Sequence, residues 1–423
     1  MEKMENRLLC AWRYLLKCFK WLAFAVLAGC VTGPLGTAFG LALNWANEVR
    51  TVHGWLLYLL PAGGLIIEFL YRHFDPNGGS TNQVFAAVRE QKVLTLRSAP
   101  LIFLSTVVTH LLGGSSGREG ASLLLGGSVS GQLGRRLHMS RQDCRQMTMC
   151  GMAGAFSAIF GTPLTATVFT LEVVDVGAMH YAALLPCMIS ALVGVWISRS
   201  MGVSPTFFAL ETVAEADPVN ITRVLLLGAL LAGLSILFCA LLHAAPRLYS
   251  RCFPNPYLRV VAGGALIIFL TRMLGTTDYN GSGSAVIAAA IAGQAVPWAF
   301  LLKMLFTALT LGCGFKGGEI VPIFFTGSTF GCIAAPLLGL PASLGAALGM
   351  VGLFCGCTNS PLASICLGLE VFGGKCLPLF ALVSAVSYML SGYFSLYHEQ
   401  HFLYSKLRIV GLERRQGCWQ EKN

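Results

Sequence analysis

An all-α, polytopic membrane protein is the fold class that this 423-residue sequence predicts, on three observations. Hydrophobic residues make up 55% of the chain and charged residues only 11%, against about a quarter charged in an ordinary soluble globule. Apolar runs recur throughout: Phe19 to Ala46, Trp55 to Tyr71, Ala99 to Leu112, Tyr181 to Ile197, Val224 to His243, Leu258 to Leu274, Trp298 to Leu311 and Cys376 to Leu390. The formal charge of +10 is concentrated at the flanks of those runs, at Arg7 to Lys20, Arg135 to Arg145 and Lys406 to Lys422. Basic residues in such places follow the positive-inside rule, so the charge points to lipid rather than to nucleic acid. Both termini are then expected in the cytoplasm, which requires an even number of crossings.

Residues 1–20 read as a cytoplasmic leader. Their basic part, through Lys3, Arg7, Arg13, Lys17 and Lys20, is long, and no small-residue cleavage site follows the apolar run, so this is not a cleaved signal peptide. A first transmembrane repeat is expected over 21–200. Some of its apolar runs approach the roughly 20 residues of a spanning helix and others fall short. Short apolar pieces broken by glycine are the pattern of tilted or discontinuous helices packed inside protein. A linker follows over 201–220, marked by Pro205, Pro218, Glu211, Glu215 and Asp217. A second repeat over 221–410 and a short cytoplasmic tail over 411–423 complete the division.

The two repeats rest on matched blocks. Gly117, Glu119, Gly127, Ser128 and Gly131 fall on Gly317, Glu319, Gly327, Ser328 and Gly331 at constant offset. Further on, Thr162-Pro163-Leu164-Thr165 leads to Leu171-Glu172-Val173, and Ser360-Pro361-Leu362-Ala363 leads to Leu369-Glu370-Val371 with the same spacing. Two blocks in the same order argue for related halves. Interrupted segments at equivalent places in two halves mark the binding site of a transporter. An odd number of crossings per half makes the halves inverted; the parity is not fixed by sequence.

Three glycine-rich runs precede short apolar helices: Asn77 to Asn82, Gly113 to Gly120 and Gly312 to Glu319. Glycine lets an ion approach the amides, and a helix starting there offers unpaired N–H donors and the positive end of its dipole. Such a seat holds an anion without the full opposing charge that would retain it. Glycines that only let helices pack closely are the competing reading of one such run. Three runs with matched acidic residues favour the anion seat. Glu119 and the second acidic residue, Glu319, are carboxylates inside the membrane, where ionisable groups are expensive and mark function. A carboxylate beside helix N-termini competes with an anion for the same positive potential and releases it when protonated. A salt bridge to Arg118 is the competing structural reading of Glu119. For Glu172 and Glu370, capping or interfacial roles are expected.

Most of the 15 cysteines lie in apolar segments, as Cys30, Cys150, Cys187, Cys332 and Cys366 do, and read as small packing residues. Cys355-Gly-Cys357 has no second pair at zinc spacing, so neither a metal nor a cofactor is expected. The histidines of His398-Glu399-Gln400-His401 are three apart, not the four of a zinc-protease HExxH. With no nucleophile and base converging, and the eight histidines scattered, an enzyme is not the expected reading.

Across nearly the whole chain these residues resemble the CLC family of chloride channels and transporters. Gly117-Arg118-Glu119-Gly120 is similar to that family's GREG segment, whose glutamate is the external gate. Gly318-Glu319-Ile320-Val321-Pro322 is similar to its second anion-lining segment, and Gly161-Thr162-Pro163-Leu164 to its proline-led helix start. Asn77 to Asn82 stands at the first lining segment and Tyr397 at the central-site tyrosine. The resemblance implies a CLC-type inverted-repeat fold of many tilted, discontinuous helices, in a homodimer with one pathway per subunit. Gly317-Gly318-Glu319, two residues and Pro322 resemble most the branch that exchanges fluoride for protons, which also lacks the internal glutamate where Val173 stands. Two positions depart from that branch: Ser80, where methionine or asparagine is frequent, and Val321, where threonine is.

The function expected is transport of an inorganic halide, fluoride or chloride, exchanged for protons; the alternative is a passive gated chloride channel. Glu119 is expected to gate and to carry the proton. The expected anion-binding residues are Ser80, Thr81, Asn82, Gly117, Arg118, Gly318, Ile320, Val321 and Tyr397.

Overall fold

A computed structural model describes residues 2–76, 81–90, 94–210, 214–408, 410–415 and 418–421. The first helix, α1 (Glu2–Val52), takes in the basic leader as its opening turns, so 1–20 is no separate element. At 1.5 Å per residue it runs for about 75 Å, more than twice the hydrocarbon thickness of a bilayer. A short 3₁₀ segment leads to α2 (Leu60–Phe74), α3 (Thr81–Glu90), α4 (Ser98–Leu111), α5 (Glu119–Arg136), α6 (Arg141–Phe160), α7 (Pro163–Glu172) and α8 (Leu184–Ser200). The second half holds α9 (Pro218–Cys252), α10 (Pro256–Leu274), α11 (Ser284–Ile291), α12 (Ala299–Cys313), α13 (Ile320–Leu337), α14 (Ala342–Thr358), α15 (Pro361–Phe372) and α16 (Leu377–Leu390). Six of the described helical stretches are long and apolar enough to cross a membrane. Others, such as α4, α12 and α15, are apolar but short.

Among the described residues, strand structure is limited to four short pieces. β1 (Asp175–Val176) pairs in parallel with β2 (His401–Phe402), which ties the link between α7 and α8 to the segment after α16. β3 (Leu412–Arg415) and β4 (Cys418–Glu421) form an antiparallel pair where a plain tail was expected. Lys406 anchors this end, donating to the Tyr388 carbonyl at 2.8 Å and to Ser391 Oγ at 3.0 Å.

Local chemistry sets the helix limits. Ser140 Oγ accepts from Asp143 N at 3.1 Å to start α6, and Asp217 Oδ1 accepts from Asn220 N at 2.6 Å to start α9. Proline disfavours helical geometry in the residue before it and suits the first helical turn, so α7 and α15 begin at Pro163 and Pro361. Two residues ahead of each proline the preceding helix stops on a left-handed residue, Gly161 at φ 71° and Asn359 at φ 56°.

Equivalent helices of the two halves meet head to tail. Glu370, at the end of α15, accepts from Leu164 N and Thr165 N at the start of α7, both at 2.8 Å. Glu172, at the end of α7, accepts from Leu362 N at 3.2 Å and Ala363 N at 2.9 Å at the start of α15. Each carboxylate thus neutralises the amide end of the other half's helix. Equivalent helices that are antiparallel require halves of opposite sense, which is the inverted repeat. Losing the charge of Glu370 weakens three hydrogen bonds, including the one from Thr165 Oγ1 at 2.6 Å. Glu370→Gln is expected to cost about 2 kcal/mol, read as a lower thermal midpoint of the purified protein.

Candidate functional site

The glycine-led runs before α5 and α13 pair with each other. Gly117 N donates to Gly318 O at 2.6 Å, and Gly318 N donates to Gly117 O at 2.8 Å, an isolated antiparallel bridge between the two halves. The bridge sets the starts of α5 and α13 face to face. Between them lies the Glu119 side chain, with no exposed surface. Its Oε2 accepts from Val321 N at 3.1 Å and from Arg118 N at 3.0 Å, so a single oxygen takes amides from the start of each helix. A carbon added at Gly318 falls 3.0 Å from that oxygen and 2.7 Å from Glu119 N, so only glycine leaves the seat open.

Glu319 sits across from it. Its Oε2 is 3.2 Å from where a carbon on Gly120 would stand, and the hydroxyl of Thr81, the first residue of α3, closes on the same point. Three helix N-termini, those of α3, α5 and α13, therefore converge on the two carboxylates. The carboxylates are close enough for their charges to repel. Three shielded polar atoms here have no hydrogen-bond partner among the described residues: Glu119 Oε1, Glu319 Oε2 and the Tyr397 hydroxyl. Buried polar groups are nearly always paired, so a row of such atoms is what a path for a small ion, a proton or water provides. Tyr397 is 2% exposed, lies edge-on to Phe85 of α3 at 4.7 Å, and is within electrostatic reach of both carboxylates.

Of the expected anion-binding residues, the structure gathers Thr81, Gly117, Arg118, Gly318, Ile320, Val321 and Tyr397 around Glu119 and Glu319 by way of these helix starts. Asn82 stands slightly apart, its Oδ1 accepting from Glu399 N at 3.4 Å. Ser80 lies outside the described residues. Arg118 contributes its backbone amide to Glu119, while its guanidinium stacks over Phe160 at 4.9 Å. The salt bridge to Glu119 weighed as the structural reading is not among the described ion pairs.

Cavities lie on both sides of the carboxylates. One, of about 320 Å³, is lined by Glu48, Asn47, His110, Arg118, Val321 and Phe324. The other, of about 220 Å³, is lined by Thr81, Asn82, Lys316, Glu319, His243 and His398 among others. The first opens at the C-terminal end of α1 and the linker before α9, the second near the C-terminal end of α9. The two cavities thus lie toward opposite ends of α9, which is long and apolar enough to cross a membrane.

Two supporting groups escaped the sequence reading. His110, 1% exposed, lies with Nε2 3.2 Å from Gly117 O and braces the bridge. Lys303, wholly buried in α12, donates to Gly281 O at 2.7 Å and Tyr279 O at 3.2 Å. That loop in turn holds the Gly113–Gly114 turn through Asn280 Nδ2 to Gly113 O at 2.8 Å and Gly281 N to Gly114 O at 3.1 Å. A lysine inside the apolar run Trp298 to Leu311 was the available signal for the second.

Known proteins resemble this chain over most of its length. A family model described as "Voltage gated chloride channel" matches residues 63–392. A "Chloride/fluoride channel protein" of Pseudomonas syringae pv. tomato is 35% identical over 395 residues, covering 92% of this chain and 87% of that protein. An "H(+)/Cl(-) exchange transporter ClcA" of Yersinia pestis is 25% identical over 381 residues, covering 83% and 80%. Among solved structures, a "CLC-type fluoride/proton antiporter" superposes with a TM-score of 0.88 at 32% identity, over 92% of this chain and 99% of that one. A slow cyanobacterial Cl⁻/H⁺ antiporter, at 19% identity and a TM-score of 0.76 over 88% of this chain and 94% of that one, shares the fold.

Proposed function

The chain belongs to the voltage-gated chloride channel family, and from that premise we propose that it exchanges a halide for protons across a membrane, fluoride ahead of chloride. The observation that carries the proposal is the seat of Glu119. Its carboxylate oxygen occupies the amides of Val321 and Arg118, where an anion binds by the same hydrogen bonds. Carboxylate and halide compete for that seat, and protonation of Glu119 decides the competition. Occupancy of the seat by halide therefore depends on the protonation of Glu119, which ties halide movement in one direction to proton movement in the other.

Gly318, Ile320 and Val321 at the start of α13, Gly117 and Arg118 ahead of α5, and Thr81 and Asn82 of α3 form the anion path. The hydroxyl of Tyr397 is its inner donor, and Glu319 is the second acidic group. Ser80 belongs to the same segment. The preference for fluoride draws support from the Pseudomonas relative's name, the fluoride/proton antiporter structure and Val173 beside Glu172. The work is transport without covalent catalysis.

The protein acts as a homodimer in the lipid bilayer, with one pathway per subunit, repeats at 21–200 and 221–410, and both termini in the cytoplasm. The larger cavity is then the outer vestibule and the smaller one the inner. Purified protein in liposomes, loaded in turn with fluoride and chloride, tests the reading when anion and proton are recorded together. Proton entry that tracks fluoride loss is the expected result. Anion loss with no proton movement in either gradient makes the protein a passive channel and ends the exchange reading.

A further inference from the structure

We infer that the stacked pair His243 and His398 is the station through which protons pass between inner-side water and Glu319. The inference rests on the exchange reading, which requires a proton route to the carboxylates but assigns none on this side. Val173 leaves no second carboxylate beside Glu172 to supply one, and the Glu172 carboxylate is already held by Leu362 N and Ala363 N.

The two imidazoles stack with centroids 3.8 Å apart and planes 24° from parallel. His398 is exposed, His243 is half-buried, and both line the 220 Å³ cavity that also reaches Glu319. The Glu319 Oε2 atom is shielded and has no hydrogen-bond partner among the described residues. From solvent inward the order is thus an exposed imidazole, a half-buried imidazole, a polar cavity and a carboxylate. The cavity is many times larger than the minimum that holds a water. An imidazole accepts a proton on one ring nitrogen and gives one up from the other, so it relays protons without having to hold the charge.

Stacking limits the store to a single proton. Two positive charges at this separation repel, so the second proton binds far more weakly than the first. The neighbouring charges act in the same sense. Lys316, seated over the Tyr71 ring at 4.6 Å, and Arg247, one turn beyond His243 on α9, oppose a second positive charge. Glu319 and Glu399 favour the first, Glu399 being paired with Arg89 at 2.7 Å. Position is fixed as well, with a His243 ring nitrogen 3.2 Å from the Leu396 carbonyl. Tyr397 stands between Leu396 and His398, so the pathway tyrosine, one imidazole and the carbonyl that holds the other share one short segment.

The test uses the full chain in liposomes at pH 7, with His243→Ala and His398→Ala and both fluxes recorded. Removing a proton shuttle slows the step it serves, so coupled fluoride and proton fluxes are expected to fall together about tenfold in His243→Ala. A smaller fall is expected for the more exposed His398. Added imidazole is expected to restore at least half of the lost rate in His243→Ala, which a merely structural role for the ring does not predict. Because His398 is exposed, its variant keeps the test open if His243→Ala folds poorly. Coupled wild-type exchange with unaffected variants overturns the inference, as does a slow, folded variant that imidazole leaves slow. A wild-type protein that passes fluoride without protons overturns the exchange reading and this inference with it.

Discussion

Glu119→Gln is expected to abolish the proton arm of the exchange. Glutamine has nearly the same shape, and its carbonyl oxygen can still accept from Val321 N and Arg118 N, so the helix starts stay in place. What it lacks is a site that binds and releases a proton. Proton flux is therefore expected to drop by about 100-fold or more, the scale of a lost acid–base group, while any remaining halide flux no longer follows pH. Fluoride and pH electrodes in one liposome suspension read both quantities. Unchanged coupling in this variant removes Glu119 from its role.

Gly331→Val is expected to prevent folding altogether. α13 crosses α14 on glycine, and a carbon added at Gly331 overlaps the Gly345 carbonyl oxygen and comes within 3.0 Å of Gly349 Cα. These are backbone atoms of a neighbouring helix, with no flexible side chain to move aside. Overpacking of an ordinary core costs roughly 1–3 kcal/mol, and this overlap exceeds what such a core relieves. Gly126 and Gly151 make the equivalent crossing of α5 on α6, so Gly126→Val is expected to behave alike. Gly233→Ala on α9 is the control, because nothing lies within 4 Å of the added carbon. That variant is expected to yield normal, monodisperse protein on size-exclusion chromatography, and Gly331→Val none.

The same crossings explain how much of the fold was legible in the sequence. Gly127 and Gly131 matched Gly327 and Gly331 because the halves repeat one helix pair, although the backbone crossing falls on Gly327 and Gly331 in the second half and on Gly126 in the first. The proline-to-glutamate spacing was visible for the same reason. The partners of the glutamates were not, since Glu172 and Glu370 each cap a helix of the opposite half, about 190–205 residues away in the chain. Cap-related roles followed from residue type and position, whereas the exchange of caps needed the inverted arrangement.

The candidate site divides in the same way. Two glycine-rich runs that lead to Glu119 and Glu319 announced facing helix starts, because backbone chemistry there is local, while most of the third, Asn77 to Asn82, lies outside the described residues. The Gly117–Gly318 bridge, the brace from His110 and the loop held by Lys303 depend on contacts between distant segments. His398 drew notice only as part of a failed zinc motif. Its stacking on His243 joins residues 155 positions apart, which no local pattern records. The basic leader was legible as charge, but its continuity with α1 was not, since the boundary drawn at residue 20 marked composition and not a break in the helix.

The central claim is that halide and proton exchange at one seat. It is tested most directly by imposing a pH gradient on liposomes with equal fluoride on both sides and the membrane voltage held at zero. Exchange predicts that protons running down their gradient drive fluoride the other way, building a fluoride gradient from none. A fluoride distribution that stays level while the pH gradient persists contradicts the account.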